Sequence, residues 1–264
     1  MADLGDLIGG TYRIRGLLGE GGTAKVYLAE HKENGQLHAI KEISAKKAER
    51  AGMLAEIRLK EKLYHPALPH VWEAFEEKGA IYIVMDYVEG IDLGTFLRRN
   101  GAVTQDQAVE WMKQLCKALT YLHGFQPPVI YRDMKPSNIV LQKDGRIKLI
   151  DFGAICQKER HGKAVPSLGT PGYAAPEQYG RHPRSDIRTD VYGLGMTFYF
   201  MLTGQDPGKP PHEIRKIREW NPTLSRTLEK IVCKCTRKQP WRRFPTCADL
   251  LKALEGYDAN KERG

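Results

Sequence analysis

Between Val129 and Asn138 the chain reads Val-Ile-Tyr-Arg-Asp-Met-Lys-Pro-Ser-Asn. A carboxylate (Asp133), an ammonium (Lys135) and a side-chain amide (Asn138) fall close together there, giving an acceptor, a cation and an amide to one short loop. Apolar residues lead in (Val129, Ile130) and out (Ile139-Val-Leu141), so the polar groups would lie at a packed, partly dry surface. Pro136 rules out continuous helix and biases Lys135 towards extended backbone. A charged loop pinned between buried strands suits catalysis, because its donors and acceptors are held in place in advance. Taken alone, the stretch fits a solvated surface turn equally well.

Other elements must position it. Tyr12–Leu18 and Ala24–Ala29 alternate as strands, with Gly19-Glu-Gly-Gly22 as a glycine-rich hairpin tip between them. Asn34-Gly35 turns the chain into a further strand at Leu37-His-Ala-Ile-Lys41. Glycines 19, 21 and 22 allow the backbone to approach a ligand and aim its amides at it; a plain hairpin tip is the simpler reading of the glycines by themselves. The loop is not of the Gly-x-x-x-x-Gly-Lys-Ser/Thr type, which excludes a phosphate loop feeding a helix. Residues 48–63 are helix-like, and 81–88 read as a buried strand running into a connector, with Gly90 as punctuation. From Thr104 to Gly124, Val109, Met112, Leu115, Leu119 and Leu122 recur at helical steps, with Thr104 and Gln107 placed as a capping box. Ile139–Leu141 and Ile147–Ile150 form a hairpin turning at 143–146, which brings Asn138 close to Asp151. Residues 191–202 suit a buried helix, and 212–255 hold three more helical stretches.

The totals are those of a globular chain: 264 residues, 41% hydrophobic and 28% charged. The longest apolar stretch, 191–202, is too short to span a bilayer, and the first residues lack a secretion signal, so no membrane segment is expected. The five cysteines (116, 156, 233, 235, 247) follow no disulfide or zinc spacing, which suggests reduced thiols in a cytoplasmic protein. The net charge of +9 is scattered and not interleaved with aromatics. That argues for a solvated basic face rather than nucleic-acid binding, with acidic protein substrates or a functional anion as the alternative.

The order Gly19-x-Gly21-x-x-Ala24-x-Val26, His38-Ala-Ile-Lys41, Tyr131-Arg-Asp133, Asp151-Phe-Gly153, Ala175-Pro-Glu177, Asp190 and Arg243 resembles the protein kinase family over about residues 12–255. Tyr131–Asn138 and Tyr173–Gln178 look similar to the bacterial, eukaryotic-like (Hanks-type) serine/threonine branch. The resemblance implies an α+β, two-lobed protein kinase fold. A small antiparallel-sheet N-lobe would occupy 1–87, and a larger, mostly helical C-lobe 88–264.

For the site, the resemblance implies that Leu18, Gly19, Glu20, Gly21, Gly22, Thr23, Ala24, Lys25 and Val26 cover a nucleotide. Lys41 would hold its α- and β-phosphates, oriented by Glu56. Ala39, Met85 and Val140 would line the adenine pocket, the Asp86-Tyr-Val88 backbone would bond adenine, and Asp92 would reach the ribose. Asp133 would take the substrate hydroxyl's hydrogen bond and proton, Lys135 would neutralise the γ-phosphate, and Thr170 would bridge the two. Asn138 and Asp151 would hold Mg²⁺, with Mn²⁺ as a substitute, and ATP would be the nucleotide. Asp190 would bond the catalytic-loop backbone, Arg243 would pair with Glu177, and residues 169–177 would receive protein substrates. Ser167 would be an autophosphorylation site facing Arg132. Three departures stand out: Ala24 for a third glycine, Lys60 where the family has an apolar residue, and Tyr131 for a histidine, whose hydroxyl needs a partner. A pseudokinase acting as a nucleotide-binding scaffold is the alternative.

Overall fold

The computed structural model describes residues 3–21, 24–44, 57, 61–151, 156–157, 169–179, 184–210 and 214–257. The chain divides into two compact units, Met1–Glu89 and Gly90–Gly264.

The first unit is built on strands β1 (Leu7–Ile8), β2 (Tyr12–Gly21), β3 (Ala24–His31), β4 (Leu37–Ser44), β5 (Val71–Glu77) and β6 (Ala80–Asp86). They form one antiparallel sheet in the order β1-β2-β3-β4-β6-β5. The hairpin is longer than the glycine pattern suggests. Gly19 pairs with Val26, Glu20 with Lys25 and Gly21 with Ala24, so the ladder runs through glycines expected at the tip. The physical reason is that the pairing set up by Tyr12–Leu17 simply continues; glycine weakens a strand without forbidding it. Alternation along β4 and β6 sends Ile40, Tyr82 and Val84 to one face of the sheet and Ala39, Ile81, Ile83 and Met85 to the other. Both faces are buried at β6, which explains its unbroken apolar run.

In the second unit, β7 (Ile91–Asp92) leads into α1 (Leu93–Asn100), followed by α2 (Gln105–His123), β8 (Val129–Ile130), β9 (Ile139–Leu141), β10 (Ile147–Leu149) and β11 (Cys156–Gln157). Then come α3 (Ile187–Thr203), α4 (Ile217–Trp220), α5 (Arg226–Cys235) and α6 (Cys247–Glu255). Short sheets β10-β9-β7 and β11-β8 carry the polar segments. Val109, Met112, Leu115, Leu119 and Leu122 of α2 are all buried. Thr104 caps α2 by accepting from the Gln107 amide at 3.3 Å, but no bond from the Gln107 side chain back to the Thr104 amide is seen among the described residues, so only half of the expected capping box forms. No helix among the described residues is long and apolar enough to cross a membrane.

Helix α3 is buried almost all round, and the segment carrying Asp133 rests against it. A Cβ on Gly193 would stand 2.8 Å from Met134 Cβ and 3.0 Å from Met134 O, closer than packed atoms tolerate. Gly193→Ala is therefore expected to cost about 1–3 kcal/mol through overpacking. A lowered urea midpoint would show it, and an unchanged midpoint would mean that the loop can shift at no cost.

Candidate active site

The loop after β8 is anchored by one buried carboxylate. Asp190, in the first turn of α3, accepts from the Tyr131 amide at 2.8 Å, from the Arg132 amide at 2.7 Å, and bonds His123 Nε2 at 2.8 Å. Arg132 adopts φ 66°, a left-handed conformation uncommon for a non-glycine residue. The two bonds to Asp190 hold the backbone there, because an unsatisfied buried carboxylate would cost more than the strain. On the other side, Gln178 Nε2 donates to Arg132 O at 2.9 Å while its Oε1 accepts from the Ala175 amide at 2.8 Å. Gln178 thus ties the loop to residues 169–179.

This fixing concentrates bonds on Asp133. Its Oδ1 accepts from Thr170 Oγ1 at 3.0 Å, and its Oδ2 lies 2.8 Å from Lys135 Nζ and accepts from Asn138 Nδ2 at 3.0 Å. Lys135 Nζ also donates to Thr170 Oγ1 at 2.7 Å, so one hydroxyl bridges the anion and the cation. Asp133 and Lys135 are only partly exposed, at 17% and 21% of their side chains, so their charges are less screened than those of a surface pair. The arrangement presents a carboxylate acceptor beside a fixed ammonium, which suits a reaction in which a hydroxyl loses its proton and an anion forms next to it.

The β9–β10 ladder brings the backbone of Asn138 beside Ile150, one residue before Asp151. Leu149 pairs with Ile139, and Ile150 N–H donates to Asn138 O at 2.9 Å. The Asn138 amide is aimed: Nδ2 donates to both Asp133 O (2.9 Å) and Asp133 Oδ2 (3.0 Å), leaving Oδ1 as its acceptor for a cation. An amide oxygen next to a carboxylate is a hard-donor set that fits a divalent cation. Among the described residues no cluster of three His, Cys, Asp or Glu could hold a metal. A divalent cation held by few protein oxygens takes the rest of its shell from phosphate oxygens and water.

In the first unit, Val26 lies directly opposite Lys41, and Ala39 opposite Met85, all on one face of the sheet. A Cβ on Gly19 or Gly21 would meet no atom of a described residue within 4 Å, so the described packing does not itself require glycine there. A group lying against that strand, such as a phosphate, would. Asp86 turns its carboxylate into the unit, accepting from the His70 amide at 3.0 Å and Trp72 Nε1 at 2.8 Å, so only its backbone is left to face a ligand. Leu18 is exposed at 46% near the end of β2. Asp92, in the second unit, caps α1 by accepting from the Thr95 amide at 2.8 Å, and Val140 is its neighbour in the ladder. Gly22, Thr23, Glu56, Lys60, Ser167 and the Phe-Gly that follows Asp151 lie outside the described residues.

Tyr131 corrects one expectation. It is fully buried, yet its hydroxyl has no hydrogen-bond partner of proper geometry among the described residues. Burial, reinforced by the negative charges of Asp151 and Asp133, holds its phenol well above the ordinary value, and the nearby Asp151 backbone opposes this only in part, so the proton stays on. The ring fills space that the hydroxyl does not use. Tyr131→Phe is expected to stabilise the protein by about 1 kcal/mol, raising the thermal midpoint by about 2–4 °C. A fall instead would reveal a bonded hydroxyl.

The sequence profile of the protein kinase domain matches residues 12–254. The chain belongs to the protein kinase family. It is a Hanks-type catalytic domain of bacterial character and has the protein kinase fold, with an antiparallel sheet in its N-terminal unit and helices in its C-terminal one. This kinase domain is 31% identical to the serine/threonine-protein kinase PrkC of Bacillus subtilis, over 98% of the chain and 42% of that protein. It is also 31% identical to cAMP-dependent protein kinase type 3 of Saccharomyces cerevisiae, over 96% of the chain and 60% of that protein. The chain spans less than half the length of the first curated relatives it matches, 42% and 38%. The crystal structure of the Mycobacterium tuberculosis PknI kinase domain superposes with a TM-score of 0.75 at 26% identity, covering 97% of this chain and 99% of that one. The family uses ATP and a divalent metal.

The kinase domain also relies on residues that the sequence reading did not single out. His123 shares the Asp190 carboxylate, Gln178 ties the loop to the following segment, and Thr189 Oγ1 donates to Glu177 Oε1 at 3.1 Å. Of these, only Gln178 sits inside a quoted motif. His123 is an ordinary last-turn helix residue until α2 and α3 are packed together.

Proposed function

We propose that this chain is a serine/threonine protein kinase that transfers the γ-phosphoryl group of ATP to protein hydroxyls. The observation that carries the reading is the Asp133 carboxylate bridged to Lys135 through Thr170, in a chain of the kinase family. In the transfer, the substrate hydroxyl oxygen bonds to the γ-phosphorus and the bond to ADP breaks. Asp133 orients the hydroxyl and receives its proton. Lys135 compensates charge on the transferring group, and Lys41 orients the remaining phosphates. Asn138 and Asp151 would hold Mg²⁺ in preference to Mn²⁺; the bound cation would draw negative charge off the phosphate oxygens. Leu18 to Val26 would cover the nucleotide, Ala39, Met85 and Val140 would enclose adenine, the backbone of Asp86 and Val88 would bond it, and Asp92 would reach the ribose. Glu56 would orient Lys41.

Residues 169–177 would receive the protein substrate, a feature with no use in a kinase of small metabolites. Ser167 would be phosphorylated by the enzyme itself, with Arg132 as the partner for the added charge. The free, buried thiols of Cys116, Cys235 and Cys247 suit a reducing compartment such as the cytoplasm. The pseudokinase alternative is disfavoured, because Lys41, Glu56, Asp133, Asn138 and Asp151 are all present.

The test is incubation with γ-labelled ATP and Mg²⁺. Label on serine or threonine of the chain itself or of a generic protein is expected, and label on neither sinks the reading. Phosphopeptide mapping is expected to find Ser167, and full activity of Ser167→Ala would remove that residue from the account.

A further inference from the structure

The second unit carries a cavity of about 370 Å³ for which the reading above has no use. Leu97, Tyr199, Phe200 and Trp220 contribute its apolar lining, and Arg98 and Lys209 its cations. The first three are buried by the fold itself, whereas Trp220 is 39% exposed. Trp220 donates Nε1–H to the Tyr199 hydroxyl at 2.6 Å, which fixes the indole. An apolar surface held in place beside solvent is what a pocket needs if it is to bind a side chain at low entropic cost.

The cavity is joined to the catalytic turn. The amides of Tyr173 and Ala174 donate to Thr170 O at 3.0 and 2.9 Å, and the Tyr173 hydroxyl donates to Asp206 Oδ1 at 2.7 Å. Asp206 lines the cavity. One turn of chain and one hydrogen bond therefore connect the Thr170 hydroxyl, which faces Asp133, to the cavity wall. The segment also packs on the wall directly: a Cβ on Gly172 would stand 2.1 Å from the carbonyl oxygen of Pro207, which lines the cavity.

Its charge selects what it takes. Asp206 is occupied inward, since Oδ1 accepts from both the Tyr173 hydroxyl and the Gly208 amide, the latter at 2.9 Å. The Lys209 ammonium makes no hydrogen bond or ion pair with any described residue. Arg98 donates to Thr95 Oγ1 at 2.8 Å and approaches the Asp92 carboxylate only to 3.9 Å, an exposed pair of little energetic weight. Among the described residues, two cations with donors to spare thus face one carboxylate, whose Oδ1 is already bonded from within. A basic side chain entering here would meet like charge, and an anionic one would gain charge-assisted bonds.

We propose that this cavity is a substrate subsite that takes an anionic side chain, carboxylate or phosphate, of the protein being phosphorylated. The proposal rests on the protein-kinase reading and names the substrate class of that site.

The test uses the full chain with ATP and peptides holding one serine. A single flanking residue, glutamate, phosphoserine, glutamine or lysine, is walked along both sides of the acceptor. At one position, glutamate or phosphoserine is expected to raise kcat/KM over glutamine by about tenfold, the size of one charge-assisted hydrogen bond, and lysine to lower it. The better of the two anions identifies the source as carboxylate or phosphate. In Lys209→Glu the preference at that position is expected to vanish or reverse through peptide KM, with the KM for ATP unchanged. Equal rates on all peptides, or a preference for lysine, overturn the subsite while leaving the kinase reading intact. So does an anionic preference that survives in both Lys209→Glu and Arg98→Glu. No phosphate on any peptide overturns the kinase reading and the subsite with it.

Discussion

Replacing Asp133 by Asn is expected to lower phosphoryl transfer by about 10²–10⁴-fold, the usual worth of a positioned general base, while the protein stays folded. The substitution keeps the size of the side chain and removes only its charge and one acceptor. In the native loop both carboxylate oxygens are committed: Oδ1 to the Thr170 hydroxyl at 3.0 Å, Oδ2 to Lys135 at 2.8 Å and to Asn138 at 3.0 Å. An amide cannot accept at both ends. With its NH₂ towards the Thr170 hydroxyl, which accepts as well as donates, its oxygen still accepts from Lys135 and Asn138, so the loss is the negative charge and with it the base. Thr170→Ala should be milder, because the direct Asp133–Lys135 pair remains without the bridging hydroxyl. Single-turnover transfer from labelled ATP, with circular dichroism as a fold control, measures both variants. An Asp133→Asn protein with native folding and near-native transfer would remove Asp133 from the chemistry.

A second large effect concerns stability. Arg243→Ala is expected to destabilise the protein by about 3–5 kcal/mol, the cost of breaking a buried ion pair from one side. Arg243 is 3% exposed and grips Glu177 bidentately, Nη1 to Oε1 at 2.6 Å and Nη2 to Oε2 at 2.7 Å. Its remaining donors satisfy the carbonyls of Arg237 (2.8 Å), Arg188 (2.9 Å) and Lys238 (3.0 Å). Truncation strands a largely buried carboxylate and those carbonyls together. At about 2–4 °C per kcal/mol for a chain of this size, thermal unfolding should begin about 10 °C lower. Replacing Glu177 as well by an apolar residue is expected to recover part of the loss, since the stranded charge goes with it. A single-variant shift below about 1 °C would mean that solvent compensates the pair.

The Asp133 cluster and the Arg243–Glu177 pair differ in how far the amino-acid sequence alone reveals them. The groups around Asp133 can be found in the chain because Asp133, Lys135 and Asn138 lie within one loop, where local geometry preserves their spacing. The Arg243–Glu177 pair spans 66 residues and is visible only through resemblance to a family. Strands β5 and β7 and helix α1 escaped the reading altogether. Trp72-Glu-Ala-Phe75 mixes faces without clean alternation, and two-residue β7 exists because β9 offers it an edge. Tyr131 shows the opposite failure. Chemistry says that a buried hydroxyl wants a partner, yet among the described residues only the Asp151 backbone comes near it, without proper hydrogen-bond geometry.

The amino-acid sequence by itself determined the hairpins, an amphipathic helix over 104–124, a buried helix over 191–202 and the polar segment 131–138 between them, because turn residues, periodicity and short spacing act locally. Only the tertiary structure decided which groups complete those local pieces. Asp190 was brought to the Tyr131 and Arg132 amides, His123 to Asp190, Gln178 to the Arg132 carbonyl, and Arg98, Lys209 and Trp220 around one cavity. These partners are far apart along the chain, and nothing in their own neighbourhoods marks them. Their proximity comes from burying apolar faces of separate helices against one another, a non-directional force. The polar bonds then select which side chains can remain at the meeting points.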